Sequence, residues 1–161
     1  MADHFLIAMQ ELQNEREVTA LTSLNEDTID YRLTLTHTQI REIIQHKNET
    51  LKNLGRVEIG SSVVNKIITA FCDSSYINQR EYAQILNELT ETFFLYKNET
   101  MDRISDDDLI EIMKEGYEGI CGGSIELLQG KVLEALVQRI KFGFEEEESD
   151  DEEMEDKPDE A

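Results

Sequence analysis

YAQILNELTETFFLY, residues 82–96, is the stretch that decides the fold, because its apolar side chains recur at the spacing of one helix face. They stand at i, i+3, i+4, i+7, i+11 and i+14, the positions of Tyr82, Ile85, Leu86, Leu89, Phe93 and Tyr96. Steps of three and four match the period of an α-helix. Residues 93–96 are apolar on every side, so we expect this end to be buried by more than one neighbour. The stretch therefore predicts a long central helix.

The chain on both sides of this helix carries further helix-start signals. Thr36 with Gln39 has the spacing of a capping box, in which each side chain bonds the backbone N–H of the other residue. Asn78 precedes the central helix, Ser105 precedes the next apolar stripe, and Ser124 follows a pair of glycines. The sequence predicts an all-α fold, with five to six helices in a compact irregular bundle.

The first predicted helix is short and covers residues 4–15. Its apolar face consists of Phe5, Leu6, Met9 and Leu12. After Arg16 the helical period stops, and residues 23–28 are rich in capping residues. This second segment is therefore predicted to be irregular, with at most a helical turn.

Two short segments alternate apolar and polar residues in the manner of β-strands. They are residues 32–36 and residues 56–60, the second bracketed by Gly55 and Gly60. Together they predict at most a small two-stranded ribbon beside the helices. Such a ribbon is stable only when other elements pack on it.

The formal net charge of −21 comes from 36 acidic and 15 basic residues among 161. Residues 145–161 contain twelve of the acidic residues and one lysine, a net charge of −11, together with the only proline. A segment so charged buries too little apolar surface to offset the entropy lost when it becomes ordered. We therefore expect a helical domain at residues 1–144 and a disordered acidic tail at residues 145–161.

This composition excludes several classes of protein. Binding to nucleic acid or to anionic membranes depends on lysine and arginine, so neither is an expected partner. No stretch approaches the ~18 apolar residues of a membrane span, and the N-terminus lacks the basic start of a signal peptide. Two cysteines, Cys72 and Cys121, are too few for a disulfide framework. The sequence predicts a cytoplasmic protein with reduced thiols.

The usual signatures of catalysis and cofactor binding are missing from the sequence. It has no phosphate-binding glycine loop, dinucleotide fingerprint or nucleophile elbow. The glycine-rich loop at residues 115–124 can be set on a calcium-loop frame, but Ile120, Gly122 and Gln129 then occupy positions where the ion needs carboxylates. No metal site and no cofactor are therefore predicted.

Cys121 lies in the same loop, a few residues before a helix start, where the pKa of a thiol can be lowered. A nucleophilic cysteine also needs a base, and His4, His37 and His46 are all remote in sequence. The alternative is a small residue packed in a glycine turn, and this is the interpretation that the sequence favours.

The tetrapeptide KNET occurs twice, at residues 47–50 and at residues 97–100, each time late in a predicted helix. A solenoid would repeat its apolar pattern at the same period, and the segments flanking the two copies do not align. We interpret the repetition as coincidence or as a local surface preference, and predict no repeat array.

Four segments and a short loop element follow one another in a recognisable order. They are residues 55–60 (GRVEIG), 70–76 (AFCDSSY), 96–100 (YKNET) and 105–109 (SDDDL), and then residues 121–124 (CGGS). In this order they resemble a family of uncharacterised bacterial proteins of about this length, over roughly residues 30–140. The resemblance implies a bacterial origin and a cytosolic setting, and it carries no activity with it.

The polar residues of those segments form the candidate site. They are Arg56, Glu58, Asp73, Tyr76 and Cys121. Two functions stay open. The favoured one is a helical interaction or regulatory protein without catalysis, whose acidic tail either meets a basic protein partner or only keeps the chain in solution. The alternative is an enzyme or small-ligand-binding domain with its site near Arg56, Glu58, Asp73 and Cys121. The partner and the oligomeric state are open as well.

Overall fold

A computed structural model describes residues 2–58 and 62–143, with side chains from His4 onward. Its helices are α1 (Ala2–Thr28), α2 (His37–Asn53), α3 (Val63–Phe71), α4 (Tyr82–Glu99), α5 (Asp106–Glu118) and α6 (residues 125–142). A 3₁₀ turn, Ile29–Tyr31, follows α1, and α6 is α-helical at Ile125–Leu127, π-helical at Leu128–Leu133 and α-helical again at Glu134–Phe142. The predicted all-α fold of five to six helices is confirmed. The predicted tail at residues 145–161 lies outside the described residues.

Helix α4, which contains the stretch at residues 82–96, packs against α2, α3 and α5. Its side chains at Tyr82, Leu86, Leu89 and Phe93 are almost completely buried, and Phe94 and Tyr96 are buried too. The C-terminal end of α4 is thus covered on more than one side, because its apolar residues occupy the whole circumference of the helix. None of the helices described is long and apolar enough to cross a membrane.

The capping signals predicted at Thr36, Ser105 and Ser124 form the expected hydrogen bonds, whereas Asn78 accepts one from the backbone of Glu81 but is not the N-cap of α4, which begins at Tyr82 after Glu81. Thr36 accepts a hydrogen bond from the backbone of Gln39, and the Gln39 side chain accepts one from the backbone of Thr36. Ser105 caps α5 in the same manner through the backbone N–H of Asp108. Gly55 follows α2 with a φ of 66°, a left-handed conformation that glycine adopts without strain. These contacts are local, so the sequence alone was enough to predict them.

The prediction of a short first helix is wrong, because α1 continues without a break to Thr28. Its second half buries Val18 and Leu21 against α2 and α3, whereas Leu12 in the first half is exposed. Leu12 and Leu21 are nine residues apart, which is two and a half turns at 3.6 residues per turn, so they lie on opposite faces. The apolar positions change face near Arg16, and the period breaks there although the helix does not.

The two-stranded ribbon predicted for residues 32–36 and 56–60 is not present in the described part of the chain, and residues 59 and 60 lie outside it. Two side-chain amides occupy the place of a neighbouring strand. Asn25 bonds both the N–H and the C=O of Leu35, at 2.9 Å each. Gln79 bonds both backbone groups of Thr34 in the same manner, at 2.7 and 2.9 Å. With these groups satisfied, the extended segment needs no β-partner.

Candidate functional site

The five candidate residues fall into two groups, one at each end of α3. Glu58 accepts a hydrogen bond of 2.9 Å from the backbone of Val63, the first residue of α3, and Arg56 lines the same groove as Glu58. Asp73, Tyr76 and Cys121 lie at the other end, beyond Phe71. A nine-residue helix such as α3 is about 13 Å long at 1.5 Å per residue. The structure therefore brings Arg56 to Glu58, and Tyr76 to the loop that contains Cys121, but separates the two groups.

Arg56 is held by partners from the same chain. Its guanidinium donates two hydrogen bonds to the Asp102 carboxylate, at 2.7 and 3.1 Å, and one of 2.6 Å to Asn98 Oδ1. The Arg56 guanidinium also holds the pKa of the Asp102 carboxyl below its usual range. This pair of hydrogen bonds connects the loop after α2 to the turn after α4. Two parallel hydrogen bonds from one guanidinium to one carboxylate are the geometry in which arginine and carboxylate pair most strongly.

Glu58 belongs to a cluster around a buried lysine. Lys47 Nζ lies 2.7 Å from Glu58 Oε1 and 2.5 Å from Glu17 Oε1, and its side chain is 4% exposed. Ser62, the N-cap of α3, donates a hydrogen bond of 2.7 Å to Glu17 Oε2. The Lys47 ammonium group thus connects α1, α2 and the start of α3. Its single positive charge balances only one of the two negative charges of Glu17 and Glu58, and both of these carboxylates have little access to water.

The second KNET copy places a lysine in an equivalent position. Lys97 near the end of α4 is buried, and its Nζ donates to Ile104 C=O at 2.6 Å and lies 2.9 Å from Asp106 Oδ1 at the start of α5. Thr50 and Thr100, the last residues of the two copies, are buried as well. Each lysine lies in the second half of one long helix and connects it to the start of the next. The lysine and the threonine of each copy are therefore core residues, while Glu49 and Glu99 are exposed, and the repetition was the sequence signal for both buried lysines.

Asp73 is also paired within the chain, with Lys114 of α5. Lys114 Nζ donates a further hydrogen bond to the backbone C=O of Ala70 and lies 5.4 Å from the centre of the Phe71 ring. The lysine therefore caps the C-terminal end of α3, where carbonyl groups without helical partners attract positive charge. Asp73 completes this arrangement as the counter-ion.

Tyr76 packs on the glycine turn that precedes α6. A Cβ atom on Gly123, whose φ is 83°, would lie 2.6 Å from the Tyr76 side chain, so only glycine permits this approach. Cys121 in the same turn is 4% exposed, and burial raises the pKa of its thiol. A nucleophile needs a lowered thiol pKa, so the environment of Cys121 is that of a packed core residue.

An open groove, which we call the acidic groove, lies between α4, α6 and the turn at residues 121–124, with a volume of about 560 Å³. Its carboxylates are those of Glu81, Glu88, Glu91 and Glu126. Further lining residues are Tyr76, Gln84, Ile85, Thr92, Tyr117, Gly123, Ile125 and Gln129. Glu81, Gln84, Glu88 and Glu91 stand at i, i+3, i+7 and i+10, so they form one stripe along α4 and its start. The sequence does not indicate this groove, because the groove depends on how α4 and α6 are placed.

Among the residues that the structure describes, no cation lines the acidic groove. Glu91 contacts His46, which lies outside the groove, at 3.3 Å. Tyr117 forms one wall, with its ring edge-on to that of Tyr76 at 6.1 Å between centres. Burial, together with the charges of Glu118, Glu81 and Glu88, raises the pKa of Tyr117 to about 12. Two carboxylates of the groove, those of Glu81 and Glu88, thus add to the effect of burial and of Glu118 on this phenol.

Metal binding has no candidate in the part of the chain that the structure describes. There, no three side chains of histidine, cysteine, aspartate or glutamate come close enough together to hold an ion. The carboxylates of the acidic groove are spread along α4 and across to α6, which does not provide the convergent oxygens that divalent cations require.

Residues 20–146 match a protein family described as a family of unknown function (DUF6323). The chain belongs to this family. The match confirms the resemblance to an uncharacterised family and extends from the second half of α1 to the end of α6. Comparisons with curated proteins and with solved structures found no match.

The DUF6323 region contains all five candidate residues and the whole acidic groove. It also contains both buried lysines, Lys47 and Lys97, and the two extended residues held by Asn25 and Gln79. The first half of α1, with Phe5, lies outside the match. The family match therefore includes the packed body of the chain and carries no activity with it.

Proposed function

We propose that this chain is a non-catalytic interaction protein, which binds a basic segment of a partner protein in the acidic groove. The observation that supports this most directly is the charge of the groove. Glu81, Glu88 and Glu126 line it without forming an ion pair in the described residues. Neighbouring carboxylates without a cation destabilise each other, and a bound lysine or arginine side chain would remove that repulsion.

The lining of the groove suits an extended basic peptide in further respects. Tyr76 is 44% exposed, and an exposed aromatic ring attracts guanidinium and ammonium groups. Gln84 and Gln129 offer amide groups beside the carboxylates, and Gln129 is held in place by Thr92 at 2.8 Å. The net charge of −21 would steer a basic partner toward the molecule from a distance.

The alternative, an enzyme or small-ligand site near Arg56, Glu58, Asp73 and Cys121, finds less support. Arg56, Glu58 and Asp73 each bind a partner in the same chain, and burial raises the pKa of the Cys121 thiol. Groups occupied in this way are poorly available to a substrate. The free thiols of Cys72 and Cys121 support the proposal that the protein works in the cytosol.

The proposal is tested by measuring how tightly the full-length chain binds a fluorescent peptide of alternating arginine and glycine. Glu81→Gln combined with Glu88→Gln removes two carboxylates from the groove and keeps the size of the side chains. We expect the dissociation constant to rise about fivefold or more, since exposed charge pairs contribute about 0.2–1 kcal/mol each and the groove concentrates several. Fluorescence anisotropy at fixed salt gives this value.

The matched control is Glu42→Gln combined with Glu111→Gln, which removes the same charge from exposed positions outside the groove. This control should bind the peptide nearly as tightly as the natural chain. If both double variants weaken binding equally, the peptide responds only to the net charge, and the groove is not its site. Absence of measurable binding to the natural chain at low salt would also overturn the proposal.

A further inference from the structure

A second groove, which we call the basic groove, lies between α1, α2 and the loop after α2, with a volume of about 740 Å³. Its two carboxylates are those of Glu17 and Glu58. Four of the chain's 15 basic residues line it, namely Arg16, Lys47, Lys52 and Arg56. In a chain with 36 acidic residues, a groove with more cations than carboxylates stands out.

The carboxylates of the basic groove are turned to partners in the chain. Glu17 and Glu58 share the Lys47 ammonium group, and each accepts a further hydrogen bond, from the Ser62 hydroxyl and from the backbone of Val63 respectively. Their side chains are only 11% and 16% exposed. The negative charge of the groove is therefore mostly enclosed.

The accessible charge of the groove is positive. Arg16 and Lys52 are exposed, and neither forms an ion pair within the part of the chain that the structure describes. The carboxylates beside them in the sequence have other partners, since Glu15 pairs with Arg41 and Glu49 accepts a hydrogen bond from the side chain four residues before it. Arg16 and Lys52 are thus available to carboxylates from outside the described residues.

The chain leaves α6 close to this groove. The backbone C=O of Ile140, near the end of α6, accepts a hydrogen bond of 3.4 Å from Arg103. Arg103 directly follows Asp102, which is paired with Arg56 of the groove. The turn after α4 therefore contacts both the end of α6 and the basic groove. An extended segment as long as residues 145–161 spans up to about 60 Å, so it is long enough to reach the groove.

We propose that the acidic tail, residues 145–161, docks in the basic groove of its own chain, where its carboxylates pair with Arg16 and Lys52. The tail carries −11 of the total charge of −21, which leaves −10 on the other residues. Most of the surface therefore repels the tail, and a groove with accessible cations attracts it. The contact depends on charge pairs and does not require the tail to fold. This inference is independent of the acidic groove, which lies on α4 and α6.

The tail is a better occupant of this groove than a separate acidic molecule. A free polyanion is repelled from a distance by the net charge of −21. The tail is covalently attached, so its effective concentration at the groove is in about the millimolar range whatever the repulsion. Pairing with two exposed cations is weak between separate molecules, and attachment compensates for that weakness.

The first test treats the full-length chain with a carbodiimide, which joins a lysine amine to a carboxylate in contact with it, and locates the links by mass spectrometry. We expect about fivefold more links from the tail to Lys52 than to Lys131. Lys131 is the matched control, because it is exposed and lies eleven residues before Phe142, within easy reach of an undocked tail. Similar yields at the two lysines would overturn the proposal.

Salt calibrates this comparison, since the two lysines can differ in reactivity. At about 1 M salt the screening length falls to about 3 Å, so the preference for Lys52 should largely disappear. A preference that stays the same at high salt would show that charge does not hold the tail, and the proposal would be wrong.

The second test changes the groove and leaves the linked lysine in place. Arg16→Gln should lower the yield of tail links to Lys52 about twofold or more, because it removes one of the two accessible cations. Arg80→Gln removes the same charge from an exposed position outside the groove and should leave the yield unchanged. Circular dichroism checks that both variants fold. Equal losses in the two variants would mean that the tail responds only to net charge, which contradicts docking in the groove.

A mixture of isotope-labelled and unlabelled chains shows which copy the tail binds. We expect links to Lys52 only within one chain, at a yield that does not change on dilution. Links that join a labelled chain to an unlabelled one in the statistical proportion would show that the tail binds a second copy, and docking in its own groove would be refuted.

Discussion

Two buried lysines show how single residues hold the helices together. Lys47 lies between the carboxylates of Glu17 and Glu58, and Lys97 lies next to Asp106 and the C=O of Ile104. An ammonium group removed from water stabilises a fold only where its hydrogens find acceptors. Both lysines meet this condition, and each fixes the start of the following helix against the helix that carries the lysine.

Lys47→Met should lower the free energy of unfolding by about 3 kcal/mol, because it leaves two poorly hydrated carboxylates without a cation. Lys52→Met is the matched control, since Lys52 is an exposed lysine of the same helix, and it should change stability by no more than about 0.5 kcal/mol. Unfolding in urea measures both.

A second substitution tests whether the carboxylates left without a cation cause this loss of stability. Adding Glu58→Gln to Lys47→Met removes one of the two stranded charges and keeps an acceptor for the backbone of Val63, so part of the lost stability should return. Equal losses for Lys47→Met and Lys52→Met would mean that the cluster contributes nothing, and the structural role assigned to Lys47 would be wrong.

Helix α1 shows what can be predicted for an element and what cannot. Caps such as Thr36 with Gln39 involve atoms three residues apart, so they are readable from sequence. The apolar face of α1 is different, because Leu12 and Leu21 lie on opposite sides of one continuous helix. A pattern that changes face has no single period, so the sequence predicts a helix end at a point where α1 continues. The correct assignment required knowing which face the body covers.

Side chains on the two faces of α1 should contribute differently to the free energy of unfolding. Leu21→Ala should lower the free energy of unfolding by about 3 kcal/mol, because it leaves a cavity where a completely buried side chain was packed. Leu12→Ala should change the stability of the monomer by no more than about 0.5 kcal/mol, since it removes no contact with the body. Urea unfolding at low protein concentration compares the two, and comparable losses would contradict the exposed position of Leu12.

At the scale of the whole molecule, the core contains tyrosines whose hydroxyl groups have little access to water. Burial is the largest cause that raises the pKa of Tyr82 and of Tyr117 to about 12, above the ordinary value of about 10. The folded state therefore keeps these phenol protons at a pH where the unfolded state has released them. Their contribution to stability is present in full below about pH 10, and it is lost as the pH rises toward 12.

We therefore expect the free energy of unfolding to fall steeply between about pH 10 and 12. Tyr117→Phe should make this decline shallower, because it removes one phenol and keeps the ring that packs against Phe71 and Tyr76. Tyr31→Phe, at a half-exposed tyrosine outside the core, is the control. Denaturant unfolding in a series of alkaline buffers gives the slopes, and equal slopes for the two variants would contradict the prediction.

The candidate site was only partly readable from the sequence. Arg56 and Glu58 were rightly placed together, as neighbours in the chain, but their partners Asp102 and Lys47 come from other elements. The acidic groove cannot be predicted from the sequence, because Glu81, Glu88 and Glu126 have the pattern of solvated helix residues and only the packing of α4 beside α6 brings them into one groove. The predicted ribbon failed for a similar reason, since Asn25 and Gln79 reach the extended segment from distant elements.

By itself, the sequence determined the helical class, most helix starts, the long apolar helix α4 and the charge, because these depend on propensities and contacts within a few residues of one another. The tertiary structure decided which face of each helix is buried, which lysines are enclosed and where carboxylates gather. Those properties arise from side chains tens of residues apart, such as Lys47 with Glu17 or Glu81 with Glu126, and only the packing of the helices brings them together.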